Sequence, residues 1–291
     1  MIYRMLVQGF WSVFGPFPKL QKSIRALIDS IKSRRRRAAV ARIRRQVARQ
    51  PSRLSLEKSQ WALSLSDPNN FYLECVRYFD QQLPDKLRSH RAYFTHDQRG
   101  FGDDAFHVMW FMLFREFKPK SFLEIGVFRG QVISLVTLNS MLQNFGCEVY
   151  GISPFTSAGD SVSTYPLSVE YHEDTLRNYD HFGLPHPTLL RAYSTDAEAL
   201  RLIGSKAWDM IYIDGNHDYE AVKQDWESCF RSLKTNGIIV LDDAGLTTSF
   251  QPPVFSFGGH PGPSRVAHEI NRAECRELLQ VGHNRVFQKI V

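Results

Sequence analysis

The 291-residue chain carries 36 Lys and Arg residues against 30 Asp and Glu residues, a formal net charge of +6. The excess lies in residues 1–50, which hold thirteen cations and one acid, whereas the remainder holds 23 cations and 29 acids. A mildly acidic body with a basic arm excludes a uniformly basic nucleic-acid-binding domain. A hydrophobic content of 43% suffices for an ordinary core, and 23% charged with 13% aromatic residues argues against wholesale disorder.

Cysteine usage and hydropathy set the expected compartment. The four cysteines are widely spread and form no CxxC pair, so a disulfide or zinc framework is not expected and a reducing compartment suits them. No apolar run approaches the roughly 18–20 residues that a transmembrane helix needs. The apolar stretch at 5–14 is interrupted by polar residues, and basic residues rather than a cleavage site follow it. We expect a cytoplasmic protein that associates with membranes, if at all, through its arm.

The basic arm, residues 1–50, has two parts. Residues 1–18 are rich in aromatic side chains and contain Gly and Pro, whereas from Leu20 to Gln50 apolar residues recur at helical spacing around the SRRRR run at 33–37. A basic amphipathic helix behind an aromatic segment is typical of membrane-surface binding. Docking on a partner subunit of a homo-oligomer or on the rest of the chain is an equal alternative. Nucleic-acid binding and organelle targeting are less favoured.

Residues 51–118 are predicted to form a linker and a helical cap. The stretch from Pro51 to Pro68 has the composition of a linker. Helical patterns follow at 70–83 and at 103–117, the second with Asp103 as its N-cap. The polar and aromatic residues 91–102 between them are predicted to form a loop.

Residues 119–291 alternate between short apolar runs and helical patterns. The predicted strands are 120–125, 148–153, 188–192, 208–213 and 237–241, and the predicted helices are 131–144, 219–233 and 264–272. The chain ends in a predicted hairpin of 276–281 and 285–290. Continuous apolar strands separated by helices indicate a parallel sheet covered on both faces. We therefore predict a doubly wound, Rossmann-like α/β fold: a mostly parallel seven-stranded sheet with an antiparallel edge hairpin, preceded by N-terminal helices.

A glycine-containing turn follows the first predicted strand. Residues 124–130 read EIGVFRG, which is ExGxxxG and not the GxGxxG of dinucleotide enzymes. Gly126 permits a tight turn with close ligand approach, and Gly130 lets the next helix begin near the ligand. On its own, the pattern is equally compatible with a strand-to-helix turn that merely needs glycine.

Three carboxylates follow two later strands. The fourth predicted strand ends in IDGNHDY, which contains Asp214 and His217, and the fifth ends in Asp242 and Asp243. One helix-plus-strand unit separates the two segments, so the carboxylates should meet at adjacent strand ends. Three carboxylates in one cleft repel one another unless a cation is present, and oxygen ligands without cysteine favour Mg²⁺ or a similar ion. The alternatives are helix capping by Asp214 or Asp218 and a solvated turn at Asp242 and Asp243.

The combination of these segments resembles a known family. EIGVFRG resembles motif I of class I S-adenosylmethionine-dependent methyltransferases. The stretch WDMIYIDGNHDYEAVKQD, followed by LKTNGIIVLDD, is similar to metal-dependent O-methyltransferases of the catechol type and, more closely, of the macrolide-sugar type. The resemblance covers residues 100–291. It implies that Asp214, Asp242 and Asp243 bind the metal ion and that His217, beside Asp214, acts as the general base.

The resemblance also implies a set of cofactor contacts at the strand ends. In the family the acidic residue of motif I lies near the methionine moiety of the cofactor. The ammonium and sulfonium groups of that moiety are positively charged, which gives a carboxylate there a physical reason. The residues assigned to the cofactor are Glu124, Gly126, Arg129, Gly130, Ser153, Ser194 and Thr195. Ser153 departs from the pattern, because many relatives have an acid there for the ribose hydroxyls. Asp160, in the following loop, is a candidate replacement.

Two histidines and two loops remain as secondary candidates. His107 lies on an aromatic helix face and is expected in the core, whereas His260 lies in the loop GGHPGPS, which could gate the substrate. The RGFG segment at 99–102 could close the cofactor side.

The expected reaction is methyl transfer from the sulfonium of S-adenosylmethionine to a hydroxyl of a small molecule or sugar, assisted by Mg²⁺ or a similar cation. Two alternatives stay open. A non-catalytic cofactor-binding or assembly protein would keep the fold without turnover. An RNA methyltransferase would hold its substrate with the arm, although the acidic body counts against nucleic acid as the partner.

Overall fold

The computed structural model describes residues 18–291, and residues 1–17 of the predicted basic arm lie outside this part. The chain divides into two compact units, Met1–Gln46 and Val47–Val291. Helix α1, Pro18–Ala48, accounts for the described part of the first unit and confirms the helix predicted from Leu20 onward. Among the described residues no helix combines the length and the apolar character that a membrane span requires.

The second unit begins with helices that share one core with the sheet. They are α2 (Leu63–Ser66), α3 (Pro68–Gln81), α4 (Asp85–Thr95) and α5 (Asp104–Phe117). Asp103 caps α5 as predicted, because its carboxylate accepts a hydrogen bond from the backbone N–H of Ala105 at 3.1 Å. The prediction of a loop from residue 91 was wrong up to Thr95, where α4 ends.

A seven-stranded sheet forms the centre of the second unit and confirms the predicted fold class. Its strands are β1 (Ser121–Ile125), β2 (Glu148–Ser153), β3 (Thr188–Arg191), β4 (Trp208–Ile213), β5 (Leu233–Leu241), β6 (Cys275–Val281) and β7 (Asn284–Lys289). The order is β3-β2-β1-β4-β5-β7-β6. The first five strands pair in parallel, whereas β7 pairs antiparallel with β5 and with β6. The closing hairpin is therefore the antiparallel edge.

Five helices connect the strands. They are α6 (Gln131–Leu142), α7 (Tyr171–His181), α8 (Ala197–Ile203), α9 (Tyr219–Ser232) and α10 (Pro261–Glu269). No helix was predicted at α7, and a helix at α8 was only the alternative interpretation of Ser194 and Thr195 as a helix cap. The α7 sequence YHEDTLRNYDH contains few apolar residues, and its helix is supported by buried polar side chains such as Asp174 and Asn178.

Hydrophobic layers cover both faces of the sheet. Side chains alternate along each strand, so in β4 Met210 and Tyr212 enter one layer while Ile211 and Ile213 enter the other. The first layer also contains residues of α3, α5 and α6, and the second contains residues of α8, α9 and α10. The carboxyl ends of the parallel strands are left uncovered by these layers, and the predicted site residues lie there.

Candidate active site

The turn after β1 is locked against the turn after β4. The backbone N–H of Gly126 donates to Ile152 O at 2.9 Å, and that of Asp214 donates to Ile125 O at 2.8 Å. Gly126 has φ +97°, and a Cβ there would lie 1.9 Å from the carbonyl oxygen of Asp214. Both its conformation and the close approach require glycine at this position.

Glu124, at the end of β1, is a buried carboxyl group without a full set of partners. It is 3% exposed, and its Oε2 atom has no hydrogen-bond partner among the described residues. Burial raises the pKa of Glu124 well above its usual value, and the backbone N–H of Ile133 only partly offsets this. An unpartnered buried carboxyl group fits a ligand that brings its own positive charge.

Two cavities lie along the strand ends and share the wall formed by Gly126, Phe128, Tyr165 and Asp214. The smaller one is a crevice between the ends of β1, β2, β3 and β4, bounded by residues 154–160 of the loop between β2 and α7. The larger one is a cleft of about 560 Å³ that reaches the carboxylates after β4 and β5. Glu124 and the loop residues Gly100–Gly102 also line the larger cleft.

Only some of the other predicted cofactor residues line the two cavities. Ser153 and Ser194 line the crevice, whereas Thr195 is exposed and does not. Gly130 begins α6 with φ +81°. The guanidinium of Arg129 pairs with Asp174 at 2.5 Å and lines neither cavity, so only its backbone lies in the turn.

The three predicted metal-binding carboxylates converge at the ends of β4 and β5. Burial, followed by the charges of Asp242 and Asp243, raises the pKa of Asp214 well above its usual value. Asp242 responds oppositely: burial would raise its pKa, but the nearby His283 outweighs burial and lowers it to about 2. The Oδ1 atom of Asp242 is buried and has no hydrogen-bond partner among the described residues. Converging carboxylates with an unpartnered oxygen fit a divalent cation.

His217 lies between two carboxylates on the other side of Asp243. Its Nε2 is 3.0 Å from Asp243 Oδ2, and its Nδ1 is 2.6 Å from Asp160 Oδ2. Burial would lower the pKa of His217, but the hydrogen bonds to Asp243 and Asp160 outweigh burial and raise it to about 9. Without a cation the imidazole is therefore charged at neutral pH, in contrast to the free-histidine value assumed for a base in the sequence analysis.

Asp160 is committed to His217 rather than to the end of β2. Its Oδ2 also accepts the backbone N–H of His217 at 2.9 Å, and its Oδ1 accepts the N–H groups of Val162 and Ser163. With both oxygens engaged, Asp160 does not replace the missing ribose acid near Ser153. Among the described residues that line the crevice, the one other acidic side chain is Asp214, which belongs to the carboxylate cluster after β4 and β5.

Sequence reasoning missed one residue of this site. His283, in the turn between β6 and β7, has its Nε2 3.3 Å from Asp242 Oδ1 and 3.5 Å from Asp243 Oδ1. His260, predicted as part of a gate, lies with its Nε2 3.6 Å from Asp243 Oδ2. Among the described residues two groups could hold a metal ion: His217, Asp243 and His260, and Asp242, Asp243 and His283. Asp214 adjoins the second group through Asp242.

His107 is a core residue, as expected. It is 1% exposed, and its Nε2 lies 3.2 Å from Nδ1 of the buried His90. His90 in turn contacts the hydroxyl of Ser134 at 2.8 Å.

Comparisons with known proteins concern the family and the fold. Residues 123–244 match the model of a family described as a methyltransferase domain. One curated relative, an uncharacterized protein of Acanthamoeba polyphaga mimivirus, is 26% identical over 125 residues, which is 42% of this chain and 51% of that protein. The chain thus matches about half the length of this relative.

Solved structures share the fold at low identity. An SAH-bound methyltransferase from Podospora anserina matches with a TM-score of 0.50 at 16% identity, covering 74% of this chain and 92% of that one. An O-methyltransferase from Bacillus cereus in complex with SAH matches with a TM-score of 0.51 at 13% identity, covering 81% of this chain and all of that one. At these identities the two structures support the fold alone.

Proposed function

We propose that this chain is a class I S-adenosylmethionine-dependent methyltransferase that transfers a methyl group to a hydroxyl oxygen of a small molecule with the help of a divalent cation; the match of residues 123–244 to a methyltransferase-domain family supports the proposal. The observation that carries the proposal is the convergence of Asp214, Asp242, Asp243 and His217 in one cleft beside the Gly126 turn. When bound, the cofactor supplies a methyl group already activated on a sulfonium, and a divalent cation lowers the pKa of a hydroxyl that it contacts.

Residues at the ends of β1 and β2 would hold the cofactor. The buried carboxyl group of Glu124 would compensate positive charge on the methionine moiety, which explains why its Oε2 lacks a protein partner. Gly126 lets the turn approach closely, and Ser153 and Ser194 line the crevice as hydroxyl donors and acceptors. A serine offers one hydroxyl where an acid would offer two oxygens, so ribose recognition relies on fewer charge-assisted bonds.

The carboxylates after β4 and β5 would hold the cation. Asp214, Asp242 and Asp243 supply hard oxygen ligands, and their mutual repulsion is relieved when a cation is present. Asp214 lines both the cleft and the crevice, so an acceptor bound in the cleft would lie next to the cofactor, and alignment for an in-line transfer would come from binding.

His217 would remove the proton of the attacking hydroxyl. Asp160 holds Nδ1 and keeps its proton there, which leaves Nε2 as the atom that faces the cleft. Nε2 is bonded to Asp243 in the described geometry and accepts a proton only when Asp243 is engaged elsewhere. Cation binding by Asp243 would therefore prepare His217 as the base.

The acceptor is a molecule with vicinal hydroxyls, such as a sugar or a catechol. The cleft of about 560 Å³ is of small-molecule size, and aromatic side chains form part of its lining. They are Phe106, Trp110, Phe128, Tyr212 and Phe257. Aromatic walls pack against the flat face of either a sugar or a phenol, and the closer resemblance to macrolide-sugar enzymes favours the sugar.

A methyl-transfer screen tests this function. Purified full-length protein with S-adenosylmethionine is assayed over sugar and phenolic acceptors, with Mg²⁺ or Mn²⁺ and with a chelator. We expect transfer to vicinal diols that stops on chelation, and His217→Ala should lower turnover by roughly 10²–10⁴. Undiminished transfer under chelation would remove the cation from the proposal. Cofactor binding without turnover on any acceptor would favour a non-catalytic protein.

The exposed arginines of α1 support a separate proposal about location. Arg34 to Arg37 are all exposed, and no acidic residue lies between Lys32 and Gln50. We propose that this segment binds an anionic membrane surface, because clustered arginines bind phosphate-bearing headgroups and the methyltransferase unit needs no nucleic acid for a small acceptor.

A further inference from the structure

We infer that His283 is a nitrogen ligand of the active-site cation, so that the site prefers a transition-metal ion such as Mn²⁺ or Co²⁺ to Mg²⁺. The inference rests on the proposed function, because it deepens the cation site that the three carboxylates suggest. It differs from the all-oxygen site expected from the sequence in both its ligand set and its metal preference.

His283 lies beside the carboxylate pair and contacts the oxygen of Asp243 that His217 does not contact. Its Nε2 lies 3.3 Å from Asp242 Oδ1 and 3.5 Å from Asp243 Oδ1, and the potential ligand atoms of these three residues all lie within 4.8 Å of one another. Asp243 uses its other oxygen, Oδ2, for His217 at 3.0 Å. The two oxygens of Asp243 therefore lie near different histidines, Oδ1 near His283 and Oδ2 near His217.

The tautomer of His283 leaves the correct nitrogen free. Its Nδ1 lies 3.0 Å from the carbonyl oxygen of Phe257, an atom that can only accept, so Nδ1 carries a proton. In the neutral ring the lone pair is then on Nε2, which faces Asp242 and Asp243. Metal-binding histidines commonly show this arrangement, with the distal N–H held by a carbonyl or carboxylate.

The turn that carries His283 is fixed on several sides. Gly282 has φ +60°, and a Cβ there would lie 2.9 Å from the ring of Phe106. The carbonyl oxygen of His283 accepts the backbone N–H of Ala244, directly after the acidic pair, at 2.9 Å. Its ring packs edge-on against Phe106 with centroids 4.7 Å apart. A ligand held in this way keeps its position whether or not an ion is bound.

The buried Oδ1 atom of Asp242 has few partners. It lies 3.3 Å from His283 Nε2 and makes no other hydrogen bond among the described residues. An ion between Oδ1 and Nε2 would satisfy both atoms at once. Carboxylate oxygens alone suit Mg²⁺, whereas adding imidazole nitrogen shifts the preference toward first-row transition metals.

The alternative is that a protonated His283 itself neutralises the two carboxylates and no metal binds. Both arrangements use the same three side chains. They differ in one measurable respect: only a metal site gives magnetic coupling between the ion and an imidazole nitrogen.

The test uses the full-length protein with Mn²⁺ alone, followed by pulsed electron paramagnetic resonance and by titration calorimetry with Mn²⁺ and Mg²⁺. We expect nitrogen coupling in the wild type and Mn²⁺ binding at least about tenfold tighter than Mg²⁺ binding. His283→Gln should abolish that coupling and weaken Mn²⁺ binding roughly 10- to 100-fold, with a smaller loss for Mg²⁺. The matched control is His268→Gln, which alters an exposed histidine of α10 and should change neither quantity.

The outcomes separate this inference from the function on which it rests. Mn²⁺ that binds and activates methyl transfer without nitrogen coupling in the wild type would overturn the role of His283 and leave the cation-assisted function standing. Coupling that survives His283→Gln but disappears in His217→Gln would also overturn it. Absence of any divalent-ion binding would overturn both the role of His283 as a ligand and the cation-assisted function. His283 would then be the group that neutralises the charges of Asp242 and Asp243. Because the wild-type spectrum alone can refute the inference, it stays testable even if the variant does not fold.

Discussion

Asp160 holds His217 by two hydrogen bonds from one oxygen: Oδ2 accepts the backbone N–H at 2.9 Å and the ring Nδ1 at 2.6 Å. Asp160 lies in the loop between β2 and α7, whereas His217 follows β4, so the pair ties the loop over the crevice to the edge of the cleft. Ring orientation and tautomer are thus set by a residue outside the methyltransferase motifs, as is common for histidines at catalytic and metal sites.

Asp160→Asn should lower kcat roughly 10- to 100-fold, because an amide cannot favour the Nδ1–H tautomer as a carboxylate does. The KM for S-adenosylmethionine should change little, since the loop stays tied through the bond between Ser161 and Asp218. Steady-state methyl-transfer kinetics measure both constants. The control is Asp218→Asn, which weakens the bond between Ser161 and Asp218 and leaves the bond between Asp160 and His217 in place. Equal losses in the two variants would mean that Asp160 acts only on loop position.

Asp214→Asn should raise the stability of the cation-free protein and remove the stability that a cation adds. The ionised form of Asp214 is unfavourable without a cation, because burial and the charges of Asp242 and Asp243 raise its pKa. A neutral amide of similar size removes that repulsion, so the chelated variant should be more stable than chelated wild type. It should also lose the extra stability that Mn²⁺ gives the wild type. Urea unfolding with and without chelator measures this, and equal stabilisation of both proteins by Mn²⁺ would exclude Asp214 as a ligand.

Gly126→Ala should abolish cofactor binding. A methyl group at this position would lie 1.9 Å from a backbone oxygen, in a conformation with φ +97°, so the turns after β1 and β4 must separate. We expect destabilisation of more than about 2 kcal/mol together with loss of S-adenosylhomocysteine binding in calorimetry. The control is Gly146→Ala, because a Cβ at Gly146 meets nothing within 4 Å. Normal binding by Gly126→Ala would refute the close approach.

The buried His90–His107 pair predicts a loss of stability in mild acid. Burial lowers the pKa of His90 well below its usual value and that of His107 to about 3. At this pair the unfolded chain binds protons near pH 6.5 and the folded chain does not, so the contribution of the pair to stability is full above pH 6.5 and is lost as the pH decreases toward 3, whereas the raised pKa of His217 contributes in the opposite direction. At pH 5.5 each histidine should cost about 1.4 kcal/mol relative to high pH.

Urea unfolding at pH 7.5 and pH 5.5 measures that loss. The double variant His90→Asn and His107→Asn should lose less free energy of unfolding than the wild type when the pH is lowered from 7.5 to 5.5, although it is less stable at both pH values. The exposed His268→Gln variant should keep the wild-type difference. An unchanged pH difference in the double variant would show that other groups cause the acid sensitivity.

The parts of the fold that could be predicted from sequence are those specified by local apolar runs. The predicted strand at 148–153 matches β2, and 208–213 matches β4, because strands that are mostly buried leave a largely apolar run in the sequence. Helix α7 gave no such signal. The partner of Arg129, Asp174, lies on α7, so the ion pair that draws Arg129 away from the cavities could not be foreseen.

His283 was missed because its role depends on strand order rather than on local sequence. The hairpin was predicted, but its turn meets the acidic pair only because β7 runs antiparallel to β5, with Arg285 opposite Leu241. That register carries the residue two positions before Arg285 past the end of β5 and beside Asp242 and Asp243. A long-range pairing of this kind leaves no trace in apolar periodicity.

The arginines of α1 provide a prediction about location that does not depend on catalysis. Replacing Arg34 to Arg37 by Gln in the full chain should abolish sedimentation with phosphatidylserine vesicles, since each basic residue contributes about 1 kcal/mol near an anionic surface. Four Arg→Lys changes keep the charge and serve as the control. A truncation should end at Gln46, because Val47 and Ala48 pack against the core of the second unit. Methyl transfer to a soluble acceptor should be unaffected in each variant. If the wild-type protein does not sediment with these vesicles but binds RNA with a steep salt dependence, membrane docking is contradicted.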